Sequence, residues 1–366
     1  MTWPDDLVVE ALRAPQTLAG WSNARWSALF RQARAAGLLG RVTRPVEAAS
    51  PWPNAAQGHV DAARRLGLAQ QTEIRRELKF IESALADLHA PIVLLKGAAY
   101  VAADLPPAQG RVFSDIDLMV PKAALARSES SLMVAGWMTT HHSAYDQRYY
   151  REWMHELPPM QHVQRQTTID LHHTILPETC RLRPDPRMLF DKAVALPGHP
   201  GFHVLCPADM VLHSMTHLFM NDDMSHALRD LSDIDLLLRH FALDAGFWPE
   251  LTTRARALNL QRPLFYGLHH AAAVLGTPVP SGALAEAERS APPAPVRPLM
   301  NAIWRRALRT PHHDARPPLA GAALFALYLR GHWLRMPPAL LARHLTIKAL
   351  GLHRRAEAPK SPDTPG

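Results

Sequence analysis

Cysteine is nearly absent: Cys180 and Cys206 are the two in 366 residues. That scarcity excludes a disulfide framework, a four-cysteine zinc site and an iron–sulfur cluster held by this chain alone, and it fits a reducing, cytoplasmic setting. Long hydrophobic runs are also missing. The longest, Pro317 to Leu329, stops at Arg330 and falls short of the roughly 20 residues a spanning helix needs. Asp5 and Asp6 stand where a secretory leader would need positive charge, so none is expected. Glycine is scarce beside proline, 18 against 33, which predicts sharp element boundaries. What is present excludes wholesale disorder, since 47% of the residues are hydrophobic and only 20% charged.

The net charge of +7 is uneven. Residues 289–366 hold 13 Lys/Arg against 3 Asp/Glu, and the rest of the chain holds 27 against 30. The basicity therefore belongs to the C-terminal region, and there is no clear nucleic-acid-binding signature. Trp333 to Leu352 mixes leucines with Arg335, Arg343 and Lys348. A core helix with a solvated basic face is the favoured expectation there, and weak contact with a membrane surface is the alternative.

The pattern divides the chain into an N-terminal helical region (1–90), an α+β core (91–205), a C-terminal helical domain (206–350) and a disordered tail (351–366). Val60 to His89 reads as a long helix with an apolar stripe, ended by Pro91. Ile92-Val93-Leu94-Leu95 is a short buried strand. Ala98 to Asp104 makes a short helix, Val112 to Val120 a second strand, Lys122 to Val134 a helix and Gly136 to His141 a third strand. Met160 to Ile175 is strand-like throughout. After Phe202 to Cys206 the chain turns helical at Pro207.

The sharpest feature is Ser114-Asp115-Ile116-Asp117-Leu118. On a strand, residues two apart share a face, so Asp115 and Asp117 project together. Two such carboxylates repel unless a cation lies between them, and oxygen-only ligation suits Mg²⁺ or Mn²⁺. Lys96-Gly97 places a cation and a glycine just after an apolar strand, where backbone can approach a phosphate closely. Arg111 is a second phosphate-pairing group. Asp170, inside Thr168-Ile169-Asp170-Leu171-His172, adds a third carboxylate. Three carboxylates beside such a turn suggest two-metal phosphoryl or nucleotidyl transfer.

In this order, Leu94-Leu95-Lys96-Gly97, Arg111, Ser114 to Leu118 and Ile169 to His172 resemble the signature of the uncharacterised nucleotidyltransferase family, within the DNA polymerase β-like superfamily. The resemblance covers about residues 20–245. It implies a small mixed β-sheet nucleotidyltransferase core flanked by N-terminal and C-terminal helical regions. It implies Asp115, Asp117 and Asp170 as catalytic metal ligands and Lys96, Gly97, Arg111 and Ser114 as nucleotide-binding residues. The donor would be an NTP, ATP first, and the acceptor a small molecule, peptide or protein. A catalytically inactive nucleotide- or partner-binding module of the same fold is the alternative.

Other residues invite weaker expectations. His172 shares the strand face of Asp170. His213 and His217 share one helix face, packed on the core or lining the cleft. Glu156 is a candidate general base in a surface loop. Ser232-Asp233-Ile234-Asp235-Leu236 repeats the acidic motif letter for letter, but in a helical setting. On a helix the two carboxylates diverge, so Asp233 and Asp235 are expected on a solvated or capping face, with one of them reaching the active site as the alternative.

Overall fold

The computed structural model describes residues 5–49, 53–140 and 147–337. Three helices, α1 (Leu7–Arg13), α2 (Asn23–Ala35) and α3 (Leu39–Ala49), precede the long α4 (Gln57–Ala84). Asp6 caps α1 by accepting from the Val9 amide, and Ser22 caps α2 by accepting from the Arg25 amide. Leu7, Val8, Trp26, Leu29, Phe30 and Val42 form their own buried cluster, to which a later helix adds Leu228.

The apolar stripe of α4, with Ile74, Leu78 and Ile81, faces a mixed seven-stranded sheet. Its strands are β1 (Ile92–Leu94), β2 (Ile116–Met119), β3 (Trp137–Thr139), β4 (Met160–His162), β5 (Thr168–His172), β6 (Val194–Leu196) and β7 (His199–Val204), in the order β3-β4-β5-β2-β1-β7-β6. β1 runs parallel to β7 and β2 parallel to β5, while the other neighbours are antiparallel. Between the strands lie α5 (Lys96–Ala102), α6 (Leu125–Val134) and α7 (Pro186–Phe190).

The expected strand over Met160 to Ile175 is in fact two. β4 and β5 pair antiparallel around residues 163–167, where Gln166 adopts φ +60°. That turn contains neither Gly nor Pro, so nothing in its composition marks it. β6 was not expected; it forms a hairpin with β7 through Gly198 at φ +80°.

The C-terminal helices are α8 (Pro207–Met220), α9 (Ala227–Phe241), α10 (Phe247–Ala257), α11 (Gln261–His270), α12 (Ser281–Glu288), α13 (Arg297–Ala307) and α14 (Ala320–Arg335). One buried cluster runs from Ile74 through the sheet to Leu327, so the sheet and these helices share a core. Among the described residues no helix is long and apolar enough to cross a membrane. The tail 351–366 lies outside the described residues, as does most of Trp333 to Leu352.

His270 yields a prediction. It is fully buried, stacked on Phe219 and Tyr266, and neither ring nitrogen has a hydrogen-bond partner. Burial drops its pKa from 6.5 to about 3. A depressed folded-state pKa leaves stability intact above 6.5 and removes it as pH falls toward 3. His270→Phe is therefore expected to flatten the fall in melting temperature between pH 6.5 and 4. An unchanged slope would refute this.

Candidate active site

β1 ends at Leu94 and the chain enters α5 two residues later, with Lys96 itself at φ +41°. From this turn Lys96 Nζ donates to Asp117 Oδ1 at 3.0 Å. β2 and β5 are in register with Asp117 opposite Asp170, so these carboxylates stand side by side on one face. Asp115 lies at the entry to β2, close enough for its charge to act on both Asp170 and Lys96.

His172, one pleat beyond Asp170, places Nε2 3.0 Å from the same Asp117 oxygen. Its Nδ1 lies 3.2 Å from Glu156 Oε2, and a single antiparallel bridge pairs Glu156 with His172. The imidazole thus bonds to one carboxylate through Nε2 and lies within ion-pair distance of the second, its Nδ1 making no hydrogen bond. Burial opposes its charge, but the bond to Asp117 and the Glu156 carboxylate raise its pKa. Glu156 is half-buried against the sheet, not in an open loop, and it braces His172.

Asp117 and Asp170 diverge in charge behaviour. Burial works against ionised Asp117, yet Lys96 and His172 hold it well below the usual carboxylate range. Burial, then the charges of Asp117 and Glu156, push Asp170 up to about 7. Asp170 Oδ1 is buried with no hydrogen-bond partner. An orphaned carboxylate oxygen beside the Asp117 carboxylate is a donor that a hard divalent cation fits.

A pH dependence follows. The Asp170 pKa is raised from 3.8 to about 7, so the folded state holds a proton that the unfolded chain has lost. Its contribution to stability is present below 3.8 and lost as pH rises toward 7. In EDTA, Asp170→Asn is expected to raise the melting temperature near pH 7 relative to wild type and to leave it unchanged near pH 4. A shift of equal size at both pH values would contradict it.

A cavity of roughly 200 Å³ opens on this cluster. Lys96, Gly97, Arg111, Ser114, Asp115 and Asp117 all line it, and Asp170 does not. Gly97 has a packing role as well: a Cβ there would lie 2.7 Å from the Phe113 ring. From α8, His217 reaches the wall, 3.6 Å from Asp230, whereas His213 is buried outside it. Composition gave no signal for Tyr100, whose hydroxyl donates to Ser214 Oγ at 2.7 Å, or for Arg229 and Asp230 in the first turn of α9.

The second acidic motif departs from expectation. It is helical, within α9, but Asp233 is only 3% exposed and lines the same cavity. It pairs with Arg41 of α3 and with Arg111. Asp235 is half-buried and accepts from Arg239 Nε and Thr277 Oγ1. Neither carboxylate is simply solvated, because basic and hydroxyl groups from distant segments pack onto α9.

Over residues 22–276 the chain matches a family model described as an uncharacterised nucleotidyltransferase. No curated protein and no solved structure matches it.

Proposed function

Because the chain belongs to the uncharacterised nucleotidyltransferase family, we propose that it moves a nucleoside monophosphate from an NTP, ATP first, to a hydroxyl or phosphate of an acceptor. The observation that carries this reading is the Asp117–Asp170 register, with the Asp115 charge acting on Asp170 and one Asp170 oxygen orphaned. Asp115, Asp117 and Asp170 would hold Mg²⁺ or Mn²⁺. A divalent cation bound there supplies charge neutralisation at the reacting phosphate and lowers the pKa of an attacking oxygen.

The chain's own groups do the rest. Lys96 and Arg111 pair with triphosphate oxygens at the cavity wall. Gly97 and Ser114 leave room for the phosphates beside Asp115. His172, braced by Glu156, keeps one oxygen of Asp117 fixed, so that its other oxygen faces a constant direction.

One observation favours a second reading, a non-catalytic nucleotide-binding module: Lys96 and His172 both engage Asp117 Oδ1. Incubation with α-labelled NTPs and Mg²⁺, followed by pyrophosphate release and mass spectrometry of labelled acceptors, tests the first reading. Tight NTP binding by calorimetry with no turnover on small-molecule, peptide or protein acceptors would select the second.

A further inference from the structure

Three segments far apart in sequence meet at one carboxylate. Asp233, 3% exposed on α9, pairs with Arg41 from α3 and with Arg111 from the loop before β2. Arg41 also donates to Ser232 Oγ at 2.6 Å and to the Pro107 carbonyl, so it ties α9 to the loop that carries Arg111. Gly110 seats that loop. Its φ is +66°, and a Cβ there would lie 2.3 Å from the Gly40 carbonyl carbon, so only glycine permits the approach to α3.

Arg111 itself is 8% exposed and lines the cavity, with its guanidinium 5.7 Å from the ring centres of both Tyr100 and Phe113. Its Nε is buried without a hydrogen-bond partner. Two guanidiniums share one carboxylate, so the group carries one net positive charge, and Arg111, which lines the cavity, keeps a buried donor unpartnered. A phosphate oxygen meets both needs.

We propose that Asp233 is a positioning residue, which holds the Arg111 guanidinium at the cavity wall in the orientation that pairs a nucleotide phosphate. The proposal rests on the nucleotide-binding reading above. It assigns the repeated Ser-Asp-Ile-Asp-Leu segments two complementary tasks: the strand copy faces the cation, and the helix copy sets the phosphate-pairing arginine.

Charge and positioning predict opposite signs for Asp233→Asn. Removing a negative charge from the wall would, by charge alone, tighten binding of an anionic nucleotide. Loss of the clasp frees Arg111 and should weaken it. The test is ATP affinity of the full chain by calorimetry with Mg²⁺. Arg111→Met is expected to weaken binding about 10- to 100-fold. Asp233→Asn should account for most of that loss, and the double variant should bind no worse than Arg111→Met.

Asp209→Asn is the structural control. It breaks a buried pair with Arg254, whose two bonds measure 2.8 and 2.6 Å, away from the cavity. It should lower the melting temperature and leave ATP affinity unchanged. Asp233→Asn binding ATP as tightly as wild type, or tighter, overturns the proposal. So does a double variant whose losses simply add. If wild type itself binds no nucleotide, the nucleotide reading fails and takes this proposal with it. If Arg111→Met weakens binding but Asp233→Asn does not, only the positioning role fails.

Discussion

Asp115→Asn is expected to lower Mg²⁺-dependent nucleotidyl transfer about 10³-fold or more, equivalent to ~4 kcal/mol of transition-state stabilisation. The melting temperature should be unchanged. Asp115 is half-exposed and lines the cavity, and among the described residues it makes no ion pair. Its loss therefore strands no buried cation. Asp117→Asn should be equally inactive but less stable, because Asp117 Oδ1 pairs with the half-buried Lys96 ammonium and also accepts the His172 bond. Relief of carboxylate repulsion alone would stabilise Asp117→Asn; loss of the ion pair with Lys96 reverses that sign. Pyrophosphate release and thermal melts on the two variants check both halves. Full Mg²⁺-dependent turnover by Asp115→Asn would sink the two-metal reading.

Much of the central sheet was legible because its signals are local. The run Ile92 to Leu95 is apolar and ends at Lys96-Gly97, and β1 and α5 form there. Period-two alternation singled out Asp115, Asp117 and Asp170 as candidates; the register of β2 with β5 brings Asp117 and Asp170 together, while the expected strand Val112–Val120 forms only over Ile116–Met119 and leaves Asp115 just ahead of it. The long helix before Pro91 and the helix opening at Pro207 were marked by proline and apolar spacing.

The signals that failed are non-local. Nothing within residues 160–175 reports that the chain reverses at Gln166, because a non-glycine residue adopts the left-handed conformation there. Glu156 reads as loop until His172, sixteen residues on, is seen to pair with it. Asp233 reads as a surface carboxylate because the helix pattern shows only which residues share its face. It cannot show that Arg41 and Arg111, 192 and 122 positions earlier, arrive to bury it. Burial of a charge is decided by its partners, and these come from other segments.

The two copies of Ser-Asp-Ile-Asp-Leu turn that point into a measurement, since composition cannot separate them. Asp115→Ala/Asp117→Ala should abolish Mn²⁺ binding, read by paramagnetic relaxation of water. Asp233→Ala should retain Mn²⁺ but lose about 3–5 kcal/mol of stability, because it leaves two buried guanidiniums without their carboxylate. Asp235→Ala should also retain Mn²⁺ and cost less, about 0.5–2 kcal/mol, since its ion-pair partner Arg239 is exposed and its other partner, Thr277, is an uncharged hydroxyl. If Asp233→Ala unfolds the chain outright, Asp233→Asn, which keeps the shape and one accepting oxygen, preserves the comparison. Equal stability losses from Asp233→Ala and Asp235→Ala would show that Asp233 is not the buried clasp described here. Loss of Mn²⁺ from the Asp233 variant, with its retention by Asp115→Ala/Asp117→Ala, would place the cation on the helix instead of the strand.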